Sequence, residues 1–272
     1  MNDDTARALN ALNRAFYAAT ADDFDATRAH PWPGWARLLP LLPAAPLRAL
    51  DVGCGNGRFG VFLAAHLPAV EYHGIDNSPA LLERAGASLA ALPNVQAKLA
   101  VVDVVETIAP LSPDPQRVRL MEESPVNRAN QPASAGFPAV AGGFEPPAAA
   151  AYDLVALFGV LHHIPGAARR QALVRALAAR VRPGGLLAFA CWRFYEYPRF
   201  RERIIPFPPG LDVEPGDYLL DWRRGAQAVR YCHYVDDVEQ AELIAAAQLT
   251  LVESYRADGE SGAMNAYVIL RR

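Results

Sequence analysis

The sequence predicts an α/β fold, in which a mostly parallel sheet is covered by helices on both faces. Short apolar runs that are typical of buried strands alternate with longer segments of helical periodicity along most of the chain. The strand-like runs carry few polar residues, as expected for a sheet with both faces buried. A glycine-rich turn follows the first of these runs, so it would join a strand to a helix.

The predicted elements follow one another in a regular order. Residues 5–20 have the apolar spacing of an amphipathic helix, and Pro31 and Pro33 are expected to stop any helix near them. Ser78 is expected to be the N-cap of the helix that starts there. Strands are predicted at 47–52, 71–75, 95–102, 152–158 and 186–192, helices at 78–92, 165–181 and 235–247, and a closing strand pair at 249–255 and 266–270.

The whole chain, 1–272, is predicted to form a single domain with three unusual segments. Residues 1–45 are expected to form a helical N-terminal lid. Residues 110–150 are rich in Pro, Ala, Gly and Ser without a period, which predicts a disordered insertion. Residues 193–230 follow the fifth strand. Because ligands bind at the carboxyl ends of parallel strands, this insertion is expected to contribute to a substrate site.

Composition excludes several classes of protein. Twenty-six basic and 29 acidic residues give a net charge of −3, which argues against a globally basic surface for nucleic acid. The three cysteines are far apart and form no CxxC pair, so we expect neither a disulfide framework nor a metal site. The first residues lack the pattern of a signal peptide, and no apolar stretch approaches the ~20 residues of a membrane span. We therefore expect a cytoplasmic protein that does not contact membranes.

The turn Gly53-Cys54-Gly55-Asn56-Gly57 predicts a ligand site after the first strand. Glycines allow the chain to reverse tightly, and they let the backbone approach a ligand without an intervening Cβ. Such a turn alone leaves the ligand open. Residues 55–60 also match G-x-G-x-x-G, the fingerprint of dinucleotide-binding proteins.

Three carboxylates favour S-adenosylmethionine over a dinucleotide. Asp51 precedes the glycines, where it would repel a pyrophosphate but suit a cationic amino-acid tail. Asp76 ends the second strand, where it could accept both ribose hydroxyls, and Asp103 follows the third, where it could receive the adenine amino group. Each of these residues could instead cap a helix or stabilise a turn.

Four segments in order, 50–57, 74–78, 152–155 and 181–185, resemble the motifs of class I S-adenosylmethionine-dependent methyltransferases. The resemblance extends from about 47 to 192, with 110–150 as a departure. It implies a Rossmann-like, seven-stranded, mostly parallel sheet whose last strand is antiparallel. It also implies cofactor contacts as follows: Asp51, Gly53 and Gly55 to the methionine part, Asp76 to the ribose, Asp103 and the backbone of Val104 to the adenine, and Phe158 and Gly159 beneath the methionine and sulfonium. Asn77, next to Asp76, is also expected to bind the cofactor.

A narrower resemblance concerns the methyl acceptor. Residues 24–33, 159–163, 216–222 and 230–234 are similar to segments of the tRNA carboxymethyluridine methyltransferases, which esterify a carboxylate on the wobble uridine. This resemblance implies tRNA as the acceptor. Ala190-Cys191-Trp192 departs from the Tyr-Val-Trp of that family, and the acidic chain lacks the lysines usual in a tRNA-binding surface.

The chemistry expected of the site depends on the acceptor. A carboxylate is already anionic near pH 7 and needs no general base, so the residue to find is one that holds it. Arg28 could grip a carboxylate of the acceptor or of the cofactor, or it could pair with Asp25. For a hydroxyl or amine acceptor, His162 or His163 could act as a base, or either could be a packing residue.

Several functions therefore remain open from the sequence. The segment 193–203 mixes arginines with aromatic residues, as suits phosphate contacts and base stacking, although it is also compatible with a solvated loop. Trp32 could form a wall of the lid or pack it onto the core. The leading hypothesis is methyl transfer to tRNA. The alternatives are a small-molecule methyltransferase and a non-catalytic protein that binds the cofactor or a small partner protein, with a pyridine-nucleotide dehydrogenase as a remote option.

Overall fold

The computed structural model describes residues 1–26, 30–43, 45–107, 151–222 and 227–272. Arg28 and the predicted insertion 110–150 lie outside these residues. Among the residues described, no helix is long and apolar enough to cross a membrane.

The helices and strands follow the alternating order predicted from the sequence. The helices are α1 (Asp3–Ala26), α2 (Arg58–His66), α3 (Pro79–Ala90), α4 (Val104–Thr107), α5 (Ala167–Arg180), α6 (Pro198–Arg201) and α7 (Asp237–Ala247), with 3₁₀ helices at Pro33–Leu41, Leu161–His163 and Phe194–Glu196. The strands are β1 (Leu47–Val52), β2 (Val70–Asp76), β3 (Val95–Val101), β4 (Tyr152–Phe158), β5 (Val181–Trp192), β6 (Ile204–Ile205), β7 (Asp217–Trp222), β8 (Ala228–His233), β9 (Thr250–Ala257) and β10 (Asn265–Arg271).

Seven of the strands form one sheet in the order β3-β2-β1-β4-β5-β10-β9. Strands β1 to β5 are parallel, and β10 runs antiparallel to both β5 and β9. The register sets Asp51 beside Gly74 of β2 and Ala156 of β4. The predicted fold class, a seven-stranded, mostly parallel sheet of the class I methyltransferase type, is confirmed.

The core lies on both faces of this sheet because its strands alternate two sets of apolar side chains. In β1, Leu47 and Ala49 belong to one buried cluster, whereas Leu50 and Val52 belong to the other. Helices α2 and α3 cover the first face, and α5 and α7 cover the second. The predicted N-cap of α3 is present, since the Ser78 hydroxyl accepts a hydrogen bond from the backbone N–H of Leu81.

Local boundaries differ from the prediction in two places. Strand β5 begins at Val181 and includes the Arg-Pro-Gly-Gly run, because the N–H of Gly184 and the C=O of Gly185 pair with Arg272 after β10. A 3₁₀ helix begins at Pro33, where we expected prolines to stop a helix. Proline is tolerated in a first helical turn because the N–H it lacks would have no partner there.

The sequence analysis did not predict a second sheet. Strands β6, β7 and β8 pair in that order as an antiparallel sheet inside the predicted insertion 193–230. Helix α1 packs against β8, and the side-chain oxygen of Asn13 accepts a hydrogen bond from the N–H of Tyr231. We call α1 together with β6–β8 the roof, because α1, β7 and β8 face the carboxyl ends of β1, β2 and β4 across one cavity and β6 pairs with β7.

Candidate functional site

A cavity of about 580 Å³ lies between the roof and the carboxyl ends of the parallel strands. This volume is within the range of small-molecule and cofactor sites. Arg28, the remaining predicted site residue, lies outside the described part of the chain, so its role stays a prediction. The other predicted site residues all line the cavity: Asp51, Gly53, Gly55, Asp76, Asn77, Asp103, Val104, Phe158, Gly159, His162 and His163.

The glycines of the first turn serve two purposes. Gly53 and Gly55 both have positive φ, which side chains other than glycine rarely adopt. A Cβ on Gly53 would lie 2.2 Å from a methyl group of Val160, so that glycine is needed for packing. A Cβ on Gly55 would meet nothing within 4 Å. The backbone at Gly55 therefore borders open space in the cavity, as a cofactor cradle requires.

Asp51 is a buried carboxyl at the end of β1. Its side chain is 3% exposed, and the hydroxyl of Tyr72 donates a hydrogen bond to Oδ2 at 2.5 Å. Burial raises the pKa of Asp51 to about 7, with a further increase from nearby Asp76 and opposing effects of Tyr72 and Arg58. An additional cation beside Asp51 would restore the ionised form. The residue thus fits the ammonium group of an amino acid.

Asp76, at the end of β2, holds the glycine turn in place. One of its oxygens accepts from the N–H of Gly55 at 2.8 Å and the other from the N–H of Ser78 at 2.9 Å. Burial raises the pKa of Asp76 and outweighs these hydrogen bonds. Each carboxylate oxygen has a second lone pair, so Asp76 can still accept from two neighbouring hydroxyl groups.

Asp103 has a structural role that its position in the sequence left open. Its Oδ1 accepts from the N–H of Val105 at 3.0 Å in the first turn of α4. Its Oδ2 accepts from the side chains of Asn10 at 2.8 Å and Arg14 at 3.4 Å, both in α1. Asp103 therefore fastens the roof to the main sheet, and contact with an adenine stays a prediction.

The two histidines after β4 differ in their surroundings. His163 connects the roof to the sheet, because Nε2 lies 2.7 Å from the Tyr17 hydroxyl and Nδ1 lies 3.1 Å from the Tyr231 carbonyl oxygen. His162 is 6% exposed, and its ring packs against those of His163 and Trp192. Both rings line the cavity, and His163 is engaged by protein groups at both nitrogens.

Two arginines that line the cavity were not selected as site residues from the sequence. Arg58 follows the glycine turn, and its guanidinium carbon lies 4.8 Å from the centre of the Trp32 ring. Its position directly after the glycine turn was the signal that could have identified it.

The second is Arg230 of β8, which is 7% exposed. Its guanidinium carbon lies 4.8 Å from the ring of Trp192, 5.4 Å from Phe16 and 5.7 Å from Trp222. Its Nε is buried without a hydrogen-bond partner, and Arg230 forms no ion pair with a described residue. Arg230 is the first residue of 230–234, one of the segments that resemble the tRNA carboxymethyluridine methyltransferases. This position could have identified it as a site residue from the sequence.

The arginines of segment 193–203 divide between structural and cavity positions. Arg193 is buried and donates to the Val235 carbonyl and to Asp237, so it is structural. Arg199 and Arg203 line the cavity together with Phe200. Part of the predicted substrate-side insertion therefore borders the site.

The sheet order, the glycine turn and the carboxylates at the strand ends together define a class I methyltransferase domain. Residues 50–187, about half of the chain, match the family described as Methyltransferase domain. The chain belongs to this family, and the cofactor of the domain is S-adenosyl-L-methionine. The dinucleotide interpretation of residues 55–60 is therefore wrong.

Individual relatives and structures are similar over different lengths. A trans-aconitate 2-methyltransferase of Streptomyces coelicolor is 47% identical over 58 residues, which are 21% of this chain and 19% of that protein. The match thus spans about a fifth of that relative's length.

Solved structures agree in fold over most of the chain. A SAM-dependent methyltransferase of Methanosarcina mazei has a TM-score of 0.58 at 14% identity, covering 89% of this chain and 98% of its own. The 1,6-didemethyltoxoflavin-N1-methyltransferase of Burkholderia thailandensis has a TM-score of 0.57 at 15% identity, covering 98% of this chain and 90% of its own.

Proposed function

We propose that this protein transfers the methyl group of S-adenosylmethionine to a carboxylate of a small acidic molecule and so forms a methyl ester. The observation that carries the proposal is Arg230, a buried cation without an ion-pair partner among the described residues, in the wall of the cavity.

Burying an unpaired cation is costly, and the rings around Arg230 offset only part of that cost. A carboxylate could accept two parallel hydrogen bonds from the guanidinium, which would satisfy the charge and orient the acceptor. Trp192, Phe16 and Trp222 would then exclude water around the pair. Low local polarity strengthens such an interaction.

A carboxylate acceptor also agrees with the histidines. S-adenosylmethionine supplies the activated methyl group, and an ionised carboxylate attacks without losing a proton. The contribution of the chain is then to align the acceptor, which can be worth several kcal/mol. His163 has protein partners at both nitrogens, so it is poorly suited to be a general base. We assign His162 to packing against Trp192 and the acceptor.

The similarity to relatives supports a small-molecule acceptor. The Streptomyces coelicolor relative is named for methylation of trans-aconitate, and the Burkholderia thailandensis structure for methylation of 1,6-didemethyltoxoflavin. Both names describe small molecules, although the first match covers only a fifth of its protein. These similarities favour a small molecule over tRNA.

The test is transfer of labelled methyl groups to a panel of di- and tricarboxylic acids and to their amides. We expect incorporation into acids only, with release by mild base as expected for an ester. Arg230→Met should lower kcat/KM by about ten- to a hundredfold, since a charge-assisted hydrogen-bonded pair is worth about 1.5–3 kcal/mol. Arg37→Gln is a matched control, because Arg37 pairs with Glu253 at the surface, outside the cavity.

Labelling of amides as readily as acids, or unchanged kinetics in Arg230→Met, would contradict the proposal. A thermal melt checks the fold of the variant. Arg230→Lys, which retains the charge but not the fork of the guanidinium, should have intermediate activity.

A second candidate is esterification of a carboxylate on the wobble uridine of tRNA. The observation that favours it is that β7 and β8, which carry the similar segments 216–222 and 230–234, both line the cavity with Arg199 and Arg203 close by. The same assay with total tRNA from a methylation-deficient host decides between the two acceptors. Labelling of tRNA that weakens steeply with added salt would select this candidate. Tight cofactor binding without transfer to either acceptor would select the non-catalytic alternative.

A further inference from the structure

Arg58 is a second cation that lines the cavity, and it lies beside the glycine turn. It is the first residue of α2, directly after Gly57, and its side chain is half-buried. Burial lowers the pKa of Arg58 to about 10, with opposing effects of Tyr267, Asp51 and Asp258, so it is cationic at neutral pH. Its positive charge therefore acts on Asp51 and on any ligand bound at the glycine turn.

The contacts of Arg58 are with the N-terminal segment and not with a carboxylate. Its guanidinium carbon lies 4.8 Å from the ring centre of Trp32 and 5.3 Å from that of Trp35, and Nη1 donates a hydrogen bond to the His30 carbonyl at 3.3 Å. In the described part of the chain it forms no ion pair. Arg14 of α1, by contrast, pairs with both Asp103 and Glu106. Arg58 thus keeps donors available for an anion.

We propose that Arg58 binds the carboxylate of the cofactor's amino-acid end while Asp51 binds its ammonium group. An α-amino acid is a zwitterion at neutral pH, and it requires both an anionic and a cationic partner. Asp51 in β1 and Arg58 at the start of α2 lie on either side of the glycine turn and line the same cavity, which supplies this pair. The proposal rests on cofactor binding alone and is independent of the methyl acceptor.

The stacking of Arg58 adds a link between the cofactor and the segment 30–35. A Cβ on Gly159 would lie 3.4 Å from Cη2 of Trp32, so the indole packs over the turn that follows β4. Trp32 thereby contacts both Arg58 and the turn expected beneath the sulfonium. A carboxylate that fixes the guanidinium should also fix the indole against Gly159. Arg58 and Trp32 should then act on cofactor affinity as one unit.

The experiment measures binding by calorimetry, without any acceptor, of S-adenosylmethionine and of its decarboxylated analogue, which keeps the ammonium and lacks the carboxylate. For Arg58→Gln, we expect affinity for S-adenosylmethionine to fall at least tenfold and affinity for the analogue to change less than twofold. Arg58→Lys should lose less than Arg58→Gln. The control is Arg37→Gln, in which another arginine of the N-terminal region, stacked on Tyr255, is replaced.

Equal weakening for both ligands would overturn the proposal, because it would assign Arg58 a purely structural role; unchanged binding of both would overturn it as well. A double-mutant cycle with Trp32→Leu tests the link. We expect the double variant to lose less affinity for S-adenosylmethionine than the product of the two single-variant fold-losses. A double-variant loss equal to that product would refute the coupling. Failure of the acceptor assay would leave these binding results untouched, so the two proposals are tested separately.

Discussion

Binding of the cofactor should release a proton from Asp51 near neutral pH. Burial raises the pKa of this carboxyl to about 7, compared with 3.8 for an ordinary aspartate. The difference corresponds to roughly 4 kcal/mol between the two protonation states. An ammonium group beside Asp51 favours the ionised form and lowers the pKa in the complex. At pH 7, about half of the protein molecules must therefore lose a proton when they bind.

The expected magnitudes follow from this pKa. Proton release through Asp51 should fall from about 0.9 per site at pH 6 to about 0.1 at pH 8, and the ionisation of Asp51 alone should make the dissociation constant about tenfold higher at pH 6 than at pH 8. Calorimetry in two buffers of different ionisation enthalpy measures the number of protons directly. The ligand's amino group also titrates, with a pKa ordinarily of ~7.7–8.0. The difference between wild type and Asp51→Asn cancels that contribution.

Two results would refute the reasoning. One is an identical proton count for the wild type and Asp51→Asn at pH 7, and the other is a pH profile that does not respond to Tyr72→Phe. The Tyr72 hydroxyl donates to the ionised Asp51 and lowers its pKa. Removal of this hydroxyl should shift the midpoint of the binding profile to higher pH.

Three further predictions concern the turn, the ribose site and the roof. Asp76→Ala should weaken S-adenosylmethionine binding at least about tenfold, roughly 1.4 kcal/mol, and unchanged affinity would remove Asp76 from the site. Gly53→Ala should lower the melting temperature because of its positive φ and the 2.2 Å contact with Val160, whereas Gly55→Ala should cost cofactor affinity more than stability; the reverse ranking would contradict the packing described. Burial alone would lower the pKa of His233, but its hydrogen bonds to Asp217 and Glu239 raise that pKa overall. The contribution of protonated His233 to stability is therefore full below about pH 6.5 and is lost as the pH rises through the raised pKa. The melting temperature of His233→Gln should therefore fall furthest below wild type near pH 6 and approach it near pH 9, and a gap that is constant with pH would refute this sign.

The sequence predicts the main sheet well because burial on both faces leaves a simple pattern. Runs such as Tyr152–Phe158 are almost wholly apolar, and parallel strands bring their carboxyl ends to one edge. For that reason Asp51 and Asp76, far apart in the chain, could be assigned to one site in advance. Asp103 shows the limit of this argument, since Asn10 and Arg14 from the distant α1 take up its Oδ2.

The roof was harder to predict because its pattern is short and polar. Strand β6 has two residues, and β7 contains Asp217 and Asp221, so neither has the alternation of a longer strand. The surroundings of Arg230 depend on tertiary packing, which gathers rings from α1, β5 and β7. No local spacing encodes that arrangement. Arg58 occupies a variable position of the G-x-G-x-x-G pattern at 55–60, so the pattern itself gave no reason to select it.

The division of the cavity between two structural units has a consequence for how specificity can change. The main sheet carries Asp51 and Asp76, whereas Arg230 and Trp222 belong to a separate three-stranded sheet, in which Tyr231 is hydrogen-bonded to Asn13 of α1 and to His163 after β4. Under the proposal that Arg230 holds the acceptor, substitutions in β7 and β8 should alter the acceptor while Asp51 and Asp76 are preserved. The three-stranded sheet can then vary independently of the cofactor-binding domain, and engineering for new acceptors should begin with its residues.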